Sequence, residues 1–382
     1  MHRNSLLLAA ACVTASLSAQ AEDGWTNLIN GKDLSNWVNV NCAPETWRFE
    51  DGVIKCTGKP TGALRTPKMY ENFQMEVEWR HVNPRGNAGI FIWSSPIAAT
   101  GVPFLRAIEV QVLDHGYGNT ENYTTHGDVF PIHGATMVPF NRNRGMRSFP
   151  SEHRSKPSPE WNHYLIEGKD GTLKLSVNGK EVNRGDKCNW RKGYIGLESE
   201  GAPTEWRVVR IKELPGGSAP AEESAPEAQN HRSLYTGADL RGWKTTTPDR
   251  WQASDWQLKL KAGEPGEPLW NETEFADGEV ILDVKAEKSA REPAVLVRSQ
   301  GGEPVKLSLA AVMPSGVPPA QPEIEPGKWN RVTLTFKGGN VTMAVNGKQI
   351  AEQAIPAEAK RSFGIADPGV ELTFANFYFR EL

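Results

Sequence analysis

Residues 172–180 read Thr-Leu-Lys-Leu-Ser-Val-Asn-Gly-Lys. Apolar and polar side chains alternate up to the Asn-Gly pair, which is the pattern of a strand with one buried face. The Asn178-Gly179 pair favours a tight hairpin turn, because both residue types accept the positive φ that such a turn needs. Residues 341–348 read Val-Thr-Met-Ala-Val-Asn-Gly-Lys and repeat the arrangement. The chain therefore contains the same antiparallel hairpin twice.

The two hairpins belong to a longer internal repeat, which indicates tandem units of one fold. Residues 28–37, Leu-Ile-Asn-Gly-Lys-Asp-Leu-Ser-Asn-Trp, return at 234–243 as Leu-Tyr-Thr-Gly-Ala-Asp-Leu-Arg-Gly-Trp. Trp161-Asn162, ahead of the first hairpin, returns as Trp329-Asn330 ahead of the second. The second copy is shorter, and the missing residues fall between the counterparts of Trp79 and Trp161. The segments of the first copy that the second copy lacks are therefore not required by the fold itself.

The composition favours a protein built from strands. The 382 residues include 36 Gly and 27 Pro, which is too many for a bundle of long helices. Short alternating segments without a helical period predict an all-β fold of two tandem sandwiches of the jelly-roll type. The formal net charge of −3 gives no basic surface for nucleic acid. After the N-terminal stretch, no apolar run is long enough to span a membrane.

The chain divides into an N-terminal signal, two domains and a linker. Residues 1–21 combine a positive start, a short apolar stretch and the Ala19-Gln20-Ala21 cleavage pattern, so we expect an exported protein in the periplasm or outside the cell. A membrane anchor is the alternative for this segment. Residues 215–232 are rich in Pro, Gly, Ala, Ser and Glu, and predict a linker. We expect one sandwich over 22–214 and a shorter one over 233–382.

Three cysteines follow the signal, at Cys42, Cys56 and Cys188. An oxidising compartment would permit one disulfide. Cys42–Cys188 is the favoured pair, because Cys56 lies in an alternating strand pattern; three buried thiols are the alternative.

The first copy carries a strand with aromatic residues on one face. In Asn87-Ala88-Gly89-Ile90-Phe91-Ile92-Trp93, the odd-numbered positions share a face, so Asn87, Phe91 and Trp93 could meet a ligand together. Sugars stack their C–H faces on aromatic rings. The counterpart strand of the second copy has Arg298 where Trp93 stands. The alternative is that both rings belong to the core.

Carboxyl groups recur on two further strands of the first copy. Glu109 and Gln111 share one face of the apolar strand 108–113, and polar groups there are costly unless they meet a partner or a substrate. The second-copy counterpart, 305–313, contains no acid. Glu198 and Glu200 share a face in 196–201, where the second copy has Ala366 in place of Glu198. Paired carboxylates are typical of glycosidic chemistry, and exposed acids on a solvated face are the alternative.

The segment missing from the second copy, about 115–159, contains four histidines: His115, His126, His133 and His153. His126, Asp128 and His133 are close in sequence and could supply a general base or bind a divalent metal. Their spacing matches no standard metal motif. Histidines that satisfy loop backbone groups are the alternative.

Residues 25–214 resemble the 3-keto-disaccharide hydrolase family, which is similar in fold to concanavalin A-like lectins and glucanases. The resemblance rests on the motifs quoted above and on five further stretches: Tyr70-Glu71-Asn72-Phe73, Glu78-Trp79-Arg80, Glu109–Asp114, Glu160-Trp161-Asn162 and Gly193–Leu214. It implies an exported enzyme that cleaves glycosides oxidised at C3. The family's acid-rich strand corresponds to Glu109, Gln111 and Asp114. Many members carry Gln near the position of Glu198, where this chain departs from the pattern.

A C3 ketone acidifies the C2 hydrogen, so cleavage needs one base and a group that holds the enolate oxygen. Our hypothesis makes His126 or Glu109 the base and Arg65 or His133 the stabiliser. The catalytic candidates are Glu109, His126, Asp128 and Glu198. The substrate-binding candidates are Arg65, Asn87, Trp93, Gln111, Asp114, His133 and Glu200. A divalent metal is a candidate cofactor, and a lectin-like module that binds sugars without cleaving them is the alternative function.

Overall fold

The computed structural model describes residues 24–118, 124–286, 293–299, 303–309, 327–355 and 360–382. The expected export signal lies outside these ranges. The described chain is almost entirely β-strand, with single 3₁₀ turns at His115–Tyr117, Ala221–Glu223 and Pro248–Arg250. None of its helices is long and apolar enough to cross a membrane.

The first copy forms a β-sandwich. Its strands are β1 (Trp25–Asn27), β2 (Val38–Val40), β3 (Trp47–Glu50), β4 (Val53–Cys56), β5 (Gly62–Arg65), β6 (Phe73–His81), β7 (Asn87–Ser94), β8 (Ala107–Leu113), β9 (Val129–Ile132), β10 (Thr136–Pro139), β11 (Asn162–Lys169), β12 (Thr172–Val177), β13 (Lys180–Asn189), β14 (Tyr194–Ser199) and β15 (Thr204–Glu213). A nine-stranded sheet has the order β10-β13-β12-β11-β6-β15-β4-β3, with β1 beside β15, and a six-stranded sheet has the order β2-β5-β14-β7-β8-β9.

All strand pairs in these sheets are antiparallel, and the quoted hairpin joins β12 to β13. Asn178 and Gly179 take φ values of 47° and 88° at its turn, as predicted. Leu173, Leu175 and Val177 are buried in the core between the sheets. The alternation seen in the sequence therefore corresponds to one core face and one outer face.

Ion pairs between neighbouring strands cover the outer face of the nine-stranded sheet. Arg210 pairs with Glu76 at 2.6 Å, Arg207 pairs with Glu78, and Arg80 pairs with Glu205 at 2.6 Å. These side chains lie on β6 and β15 and are partly exposed, so this face is solvated.

The second copy forms another sandwich, which confirms the tandem architecture. Its strands are β16 (Arg232–Ser233), β17 (Trp243–Lys244), β18 (Trp251–Ser254), β19 (Gln257–Leu260), β20 (Gly266–Asn271), β21 (Gly278–Ala286), β22 (Ala294–Ser299), β23 (Val305–Ser308), β24 (Trp329–Lys337), β25 (Asn340–Val345), β26 (Lys348–Ala354), β27 (Arg361–Asp367) and β28 (Leu372–Glu381). One sheet has the order β18-β19-β28-β21-β24-β25-β26, with β16 beside β28, and the other has the order β17-β20-β27-β22-β23.

The second sandwich packs on the first through the outer face of β21 and β28. Ile281 and Tyr378 join an apolar cluster with Phe91, Ala98 and Leu105 of the first sandwich. The covered part of the first sandwich includes the loop 95–106, which connects β7 to β8, together with Val40 of β2 and Ala63 of β5. The outer face of β21 still carries Glu279, Asp283 and Lys285, and it differs from β6 mainly at Ile281, which joins the apolar contact.

Second-sandwich side chains also bind the backbone of loop 95–106. Asp283 accepts a hydrogen bond from the Gly101 amide at 2.8 Å, and Arg331 donates to the Ala98 carbonyl at 2.8 Å. Asn376 donates to the carbonyls of Ala99 and Val102, both at 3.0 Å. Asp283 and Arg331 form a buried ion pair at 2.8 Å. The loop is therefore held by specific polar contacts as well as by apolar packing.

The structure contradicts the disulfide predicted between Cys42 and Cys188, because Cys42, Cys56 and Cys188 are all free thiols. The strand order explains this result. Cys56 lies on β4, near one end of the nine-stranded sheet, and the Cys42 thiol lies close to it, donating to the Pro60 carbonyl. Cys188 lies on β13, near the opposite end of the sheet.

Candidate active site on the six-stranded sheet

The polar candidates gather on the outer face of three neighbouring strands. β7 pairs with β8, so that Gly89 stands opposite Gln111 and Phe91 stands opposite Glu109. β14 lies on the other side of β7, with Gly196 opposite Phe91. The polar side chains of these strands, Asn87, Glu109, Gln111, Glu198 and Glu200, line a cavity of about 230 Å³. The alternation of β8 and β14 thus brings side chains from distant parts of the chain together.

Glycine at position 89 leaves room for two carboxyl groups. A Cβ atom placed there would lie 2.8 Å from Oε1 of Glu109 and 2.9 Å from Oε2 of Glu198. These distances are shorter than carbon–oxygen contacts allow, so any side chain would displace the acids. Both oxygens therefore face the same small space above β7.

A chain of amides orders one end of this cluster. Gln111 donates to the Asn87 side-chain oxygen at 2.6 Å, and Asn87 donates to Oε2 of Glu200. The two amides therefore hold Glu200 in place and favour its ionised form.

Burial raises the pKa of all three carboxyl groups. The pKa of Glu109 lies well above its usual range through burial and through the nearby charge of Glu200. The pKa of Glu198 is raised likewise by burial and by Glu109. The pKa of Glu200 is raised by burial to about 7, and hydrogen bonds from Glu198 and Asn87 limit the rise. Near neutral pH, Glu200 is the group that ionises first.

Arg147, from the segment absent in the second copy, supplies a positive charge to the cavity. Its guanidinium lies 3.4 Å from the Phe130 ring centroid and pairs with Asp128 at 2.8 Å. Asp128 is fully buried and also accepts from Thr124 and the Thr125 amide. Burial raises the pKa of Asp128 to about 6, although Arg147 opposes the shift. Asp128 does not line the cavity, so it positions Arg147 there.

His126 does not reach the cavity. Its ring stacks on His115 with centroids 4.2 Å apart and meets His153 edge-on at 4.6 Å. Burial and the two neighbouring histidines lower the pKa of His126 to about 3. The prediction of His126 as a catalytic base is therefore not supported by its position, because the loop carries the ring into a separate histidine cluster.

The structure also corrects the role predicted for Trp93. Its ring is buried in the core, meets Phe73 of the opposite sheet edge-on at 6.1 Å and donates to the Glu71 carbonyl. Trp93 has a φ of 52°, and the pairing of β14 with β7 shifts register beside it. This bulge breaks the alternation and turns the ring inward, where it is not available to a sugar.

Asp114 and Arg65 are held by backbone groups outside the cavity. Asp114 accepts from the amides of Arg85, Gly116 and Ser158, and so ties three loop segments together. Arg65 donates to the carbonyls of Pro96 and Thr66 and lies over the Tyr194 ring. Both residues were predicted to bind substrate, and their contacts instead support the loops.

His133 does line the cavity, where its ring stacks on Phe104 with centroids 5.7 Å apart. The sequence reasoning missed Phe104, Tyr117 and Arg147, which also line it. Two of the three, Tyr117 and Arg147, lie in the segment that only the first copy has, which was the signal available to find them.

The proposed His126–Asp128–His133 metal group does not form, because the three side chains lie in different surroundings. Within the described ranges, no three His, Cys, Asp or Glu side chains converge as metal ligands.

One family model covers both sandwiches. The family model described as "3-keto-alpha-glucoside-1,2-lyase-like domain" matches residues 24–212 and again 230–380, one sandwich each. No protein of curated function matches the chain. A "putative glycosyl hydrolase" from Parabacteroides distasonis is 24% identical over 50% of this chain and 95% of its own, with a TM-score of 0.41. The carbohydrate-binding module CBM66 from Bacillus subtilis is 14% identical over 47% of this chain and 96% of its own, with a TM-score of 0.34.

Proposed function

We propose that this chain, which belongs to the 3-keto-alpha-glucoside-1,2-lyase-like domain family, cleaves glycosides whose sugar carries a ketone at C3. One observation carries the proposal. Two buried carboxyl groups and a partly buried third, all with raised pKa values, face a cavity that also receives Arg147. Perturbed carboxyl groups gathered in one cavity are typical of catalytic sites.

The chemistry of such a substrate fits this set of groups. A base removes the hydrogen on C2, and the electron pair passes into the ketone to give an enolate. When the ketone re-forms, a C1=C2 double bond appears and the C1–O bond to the leaving group breaks. The leaving oxygen takes a proton from an acid. Water then adds across the double bond, and the net result is hydrolysis.

The pKa shifts support a division of roles among the three carboxyl groups. Glu200 is the base, because it is the carboxyl group most readily ionised near neutral pH. Glu109 and Glu198 retain their protons and one of them serves as the acid. Arg147 holds the enolate oxygen, since a guanidinium in a water-poor site stabilises developing negative charge. Asn87 and Gln111 orient Glu200 and the sugar hydroxyls.

The proposal is tested by incubating the protein with methyl 3-keto-glucoside and with unoxidised methyl glucoside. We expect free sugar from the keto compound alone. Glu200→Gln should lower kcat at least a hundredfold, in line with the loss of a general base. Glu181→Gln, at an exposed position on β13, is the matched control and should retain wild-type activity. Binding of sugars without release would instead identify a lectin-like module and overturn the proposal.

We also propose that the protein is exported, on the basis of the signal pattern in residues 1–21. Fractionation of cells that express the full chain, followed by N-terminal sequencing, tests this point. A mature protein that still begins at Met1 would contradict it.

A further inference from the structure

A cleft of about 700 Å³ lies beside the candidate active site. The first sandwich contributes loop 95–106 and His133 to its walls. The linker contributes Pro226, Glu227 and Gln229, and the second sandwich contributes Arg331. The cleft therefore exists only because both sandwiches are present, and no role of the active site described above uses it.

His133 lies at the boundary between the cleft and the catalytic cavity, because it lines both spaces. Its ring stacks on Phe104, which also lines the cavity. A ligand that begins among the carboxyl groups and extends past this pair of rings would enter the cleft.

The sizes of the two spaces suggest a division of the ligand between them. Ligand sites usually enclose about 300–1,000 Å³. The catalytic cavity, at about 230 Å³, lies below this range and suits a single sugar ring. The cleft lies well within the range and has room for the rest of a glycoside.

The lining of the cleft combines apolar surface with a guanidinium group. Pro96, Ile97 and Ala99 present aliphatic carbon. Arg106 lies flat on the Trp190 ring at 3.5 Å and donates to the Asn189 side-chain oxygen at 3.2 Å, so its guanidinium is held in the wall of the cleft. A sugar ring matches both features, since its C–H faces pack on apolar groups and its hydroxyls accept hydrogen bonds.

The apolar wall is held rigidly. Side chains of Asp283, Arg331 and Asn376 bind the backbone of residues 98–102, so the wall keeps its shape without ligand. Preorganised walls reduce the cost of ordering on binding.

We infer that the cleft binds the leaving group of the glycoside, and that the second sandwich serves to complete this subsite. The inference rests on the proposed function of the adjoining cavity.

The experiment compares a 3-keto-disaccharide with methyl 3-keto-glucoside in wild type, Gln229→Trp and Glu222→Trp. Gln229 is an exposed linker residue, so Trp there fills the cleft without entering a core. Glu222 lies on the same linker outside the cleft and is the matched control. We expect the ratio of kcat/KM for the disaccharide to that for the methyl glycoside to fall at least tenfold in Gln229→Trp and to stay within twofold in Glu222→Trp.

An unchanged ratio in Gln229→Trp would overturn the subsite while leaving the proposed function standing. If no keto glycoside is cleaved, the proposed function fails, and calorimetric titration with 3-keto-disaccharide decides the subsite independently. Binding that is weakened at least tenfold by Gln229→Trp but not by Glu222→Trp would support it. Equal binding by all three proteins would overturn it.

Discussion

At the residue scale, the site depends on carboxyl groups that are forced to share one cavity. Glu109 and Glu198 both approach the space above Gly89, and Glu200 is tied to them through Glu198. Burial makes each negative charge costly, and a second charge more costly still. The cluster therefore loses its first proton near neutral pH. This proton leaves Glu200, because the side-chain amides favour the ionised form of that residue.

The pH dependence of turnover follows from this order. Glu200 must be ionised to act as the base, and its pKa is about 7. We expect kcat/KM to rise about tenfold per pH unit below that value and to level off above it. Measurement of kcat/KM for methyl 3-keto-glucoside between pH 5 and 9 checks the prediction. A rate that falls as pH rises through 7 would contradict the assignment.

The same pKa shift provides a control on folding. Because the pKa of Glu200 is raised in the folded state, the folded protein binds this proton more tightly than the unfolded chain. The associated stability is present at acid pH and is lost as pH rises through about 7. Glu200→Gln should therefore be more stable than wild type at pH 8, by about 1–3 kcal/mol, so its lost activity would not reflect unfolding.

Alternation along the strands was enough to place Glu109 and Gln111 on one face, and Glu198 and Glu200 on another. It failed at Trp93, because a single residue with positive φ changes the direction of the side chain and leaves no mark in the sequence pattern. It also could not position His126, since loop conformation depends on contacts such as the stack with His115, which periodicity does not describe.

At the scale of elements, loop 95–106 stands between the two sandwiches and forms a wall of the cleft. Its backbone groups are satisfied by side chains of the second sandwich, and Asp283 is central to them. Asp283 pairs with Arg331 and accepts from the Gly101 amide and from Asn376. Gly101 has a φ of 71°, and a Cβ atom there would lie 2.2 Å from the Trp329 ring. The loop and the second sandwich therefore fit each other closely.

Loss of the Asp283 carboxylate should destabilise the protein strongly. Asp283→Ala leaves Arg331 buried without its partner, and breaking a buried pair in this way costs about 3–5 kcal/mol. The control is Glu274→Ala, which removes an exposed pair with Lys360 and should change stability by no more than about 0.5 kcal/mol. Urea denaturation measures both; equal effects would show that the Asp283 network is not structurally important.

The hairpins were predictable because their signals are local: alternating residues and an Asn-Gly turn. The outer face of β21 that packs on the first sandwich is harder to predict, but the sequence carries a signal for it. Residues 279–285 read Glu-Val-Ile-Leu-Asp-Val-Lys, and Ile281 interrupts an outer face that otherwise carries charges, as β6 does. An apolar residue at such a position indicates local burial of that face, and comparison of the two copies could have found it.

At the scale of the whole molecule, the two sandwiches share a buried polar network and an apolar cluster. Domains joined by small polar interfaces often unfold separately, whereas this interface couples them. We expect a single calorimetric unfolding transition for wild type, and two resolved transitions for Asp283→Ala. Two transitions in wild type would show that the interface contributes little to stability.

The repeat predicted two sandwiches of one fold, and the comparison between copies predicted that only the first carries the acids. The arrangement of the copies was beyond such reasoning. Ile281 indicates that part of the outer face of β21 is covered, but the sequence does not indicate that loop 95–106 of the first sandwich covers it.

The ion pairs on the outer face of the nine-stranded sheet have a consequence for assembly. In the second sandwich, the corresponding outer face is formed by β21 and β28, and it docks on the first sandwich. The contact therefore joins two different surfaces of the repeated fold. Contacts of this kind can add further copies without end and produce fibres. In the first sandwich, Glu76 and Glu78 occupy the positions of Ile281 and Asp283 and are paired with arginines. This outer face of the first sandwich is charged and solvated, so it cannot dock on a further copy in the same way. The head-to-tail contact therefore joins two sandwiches and does not extend to a third.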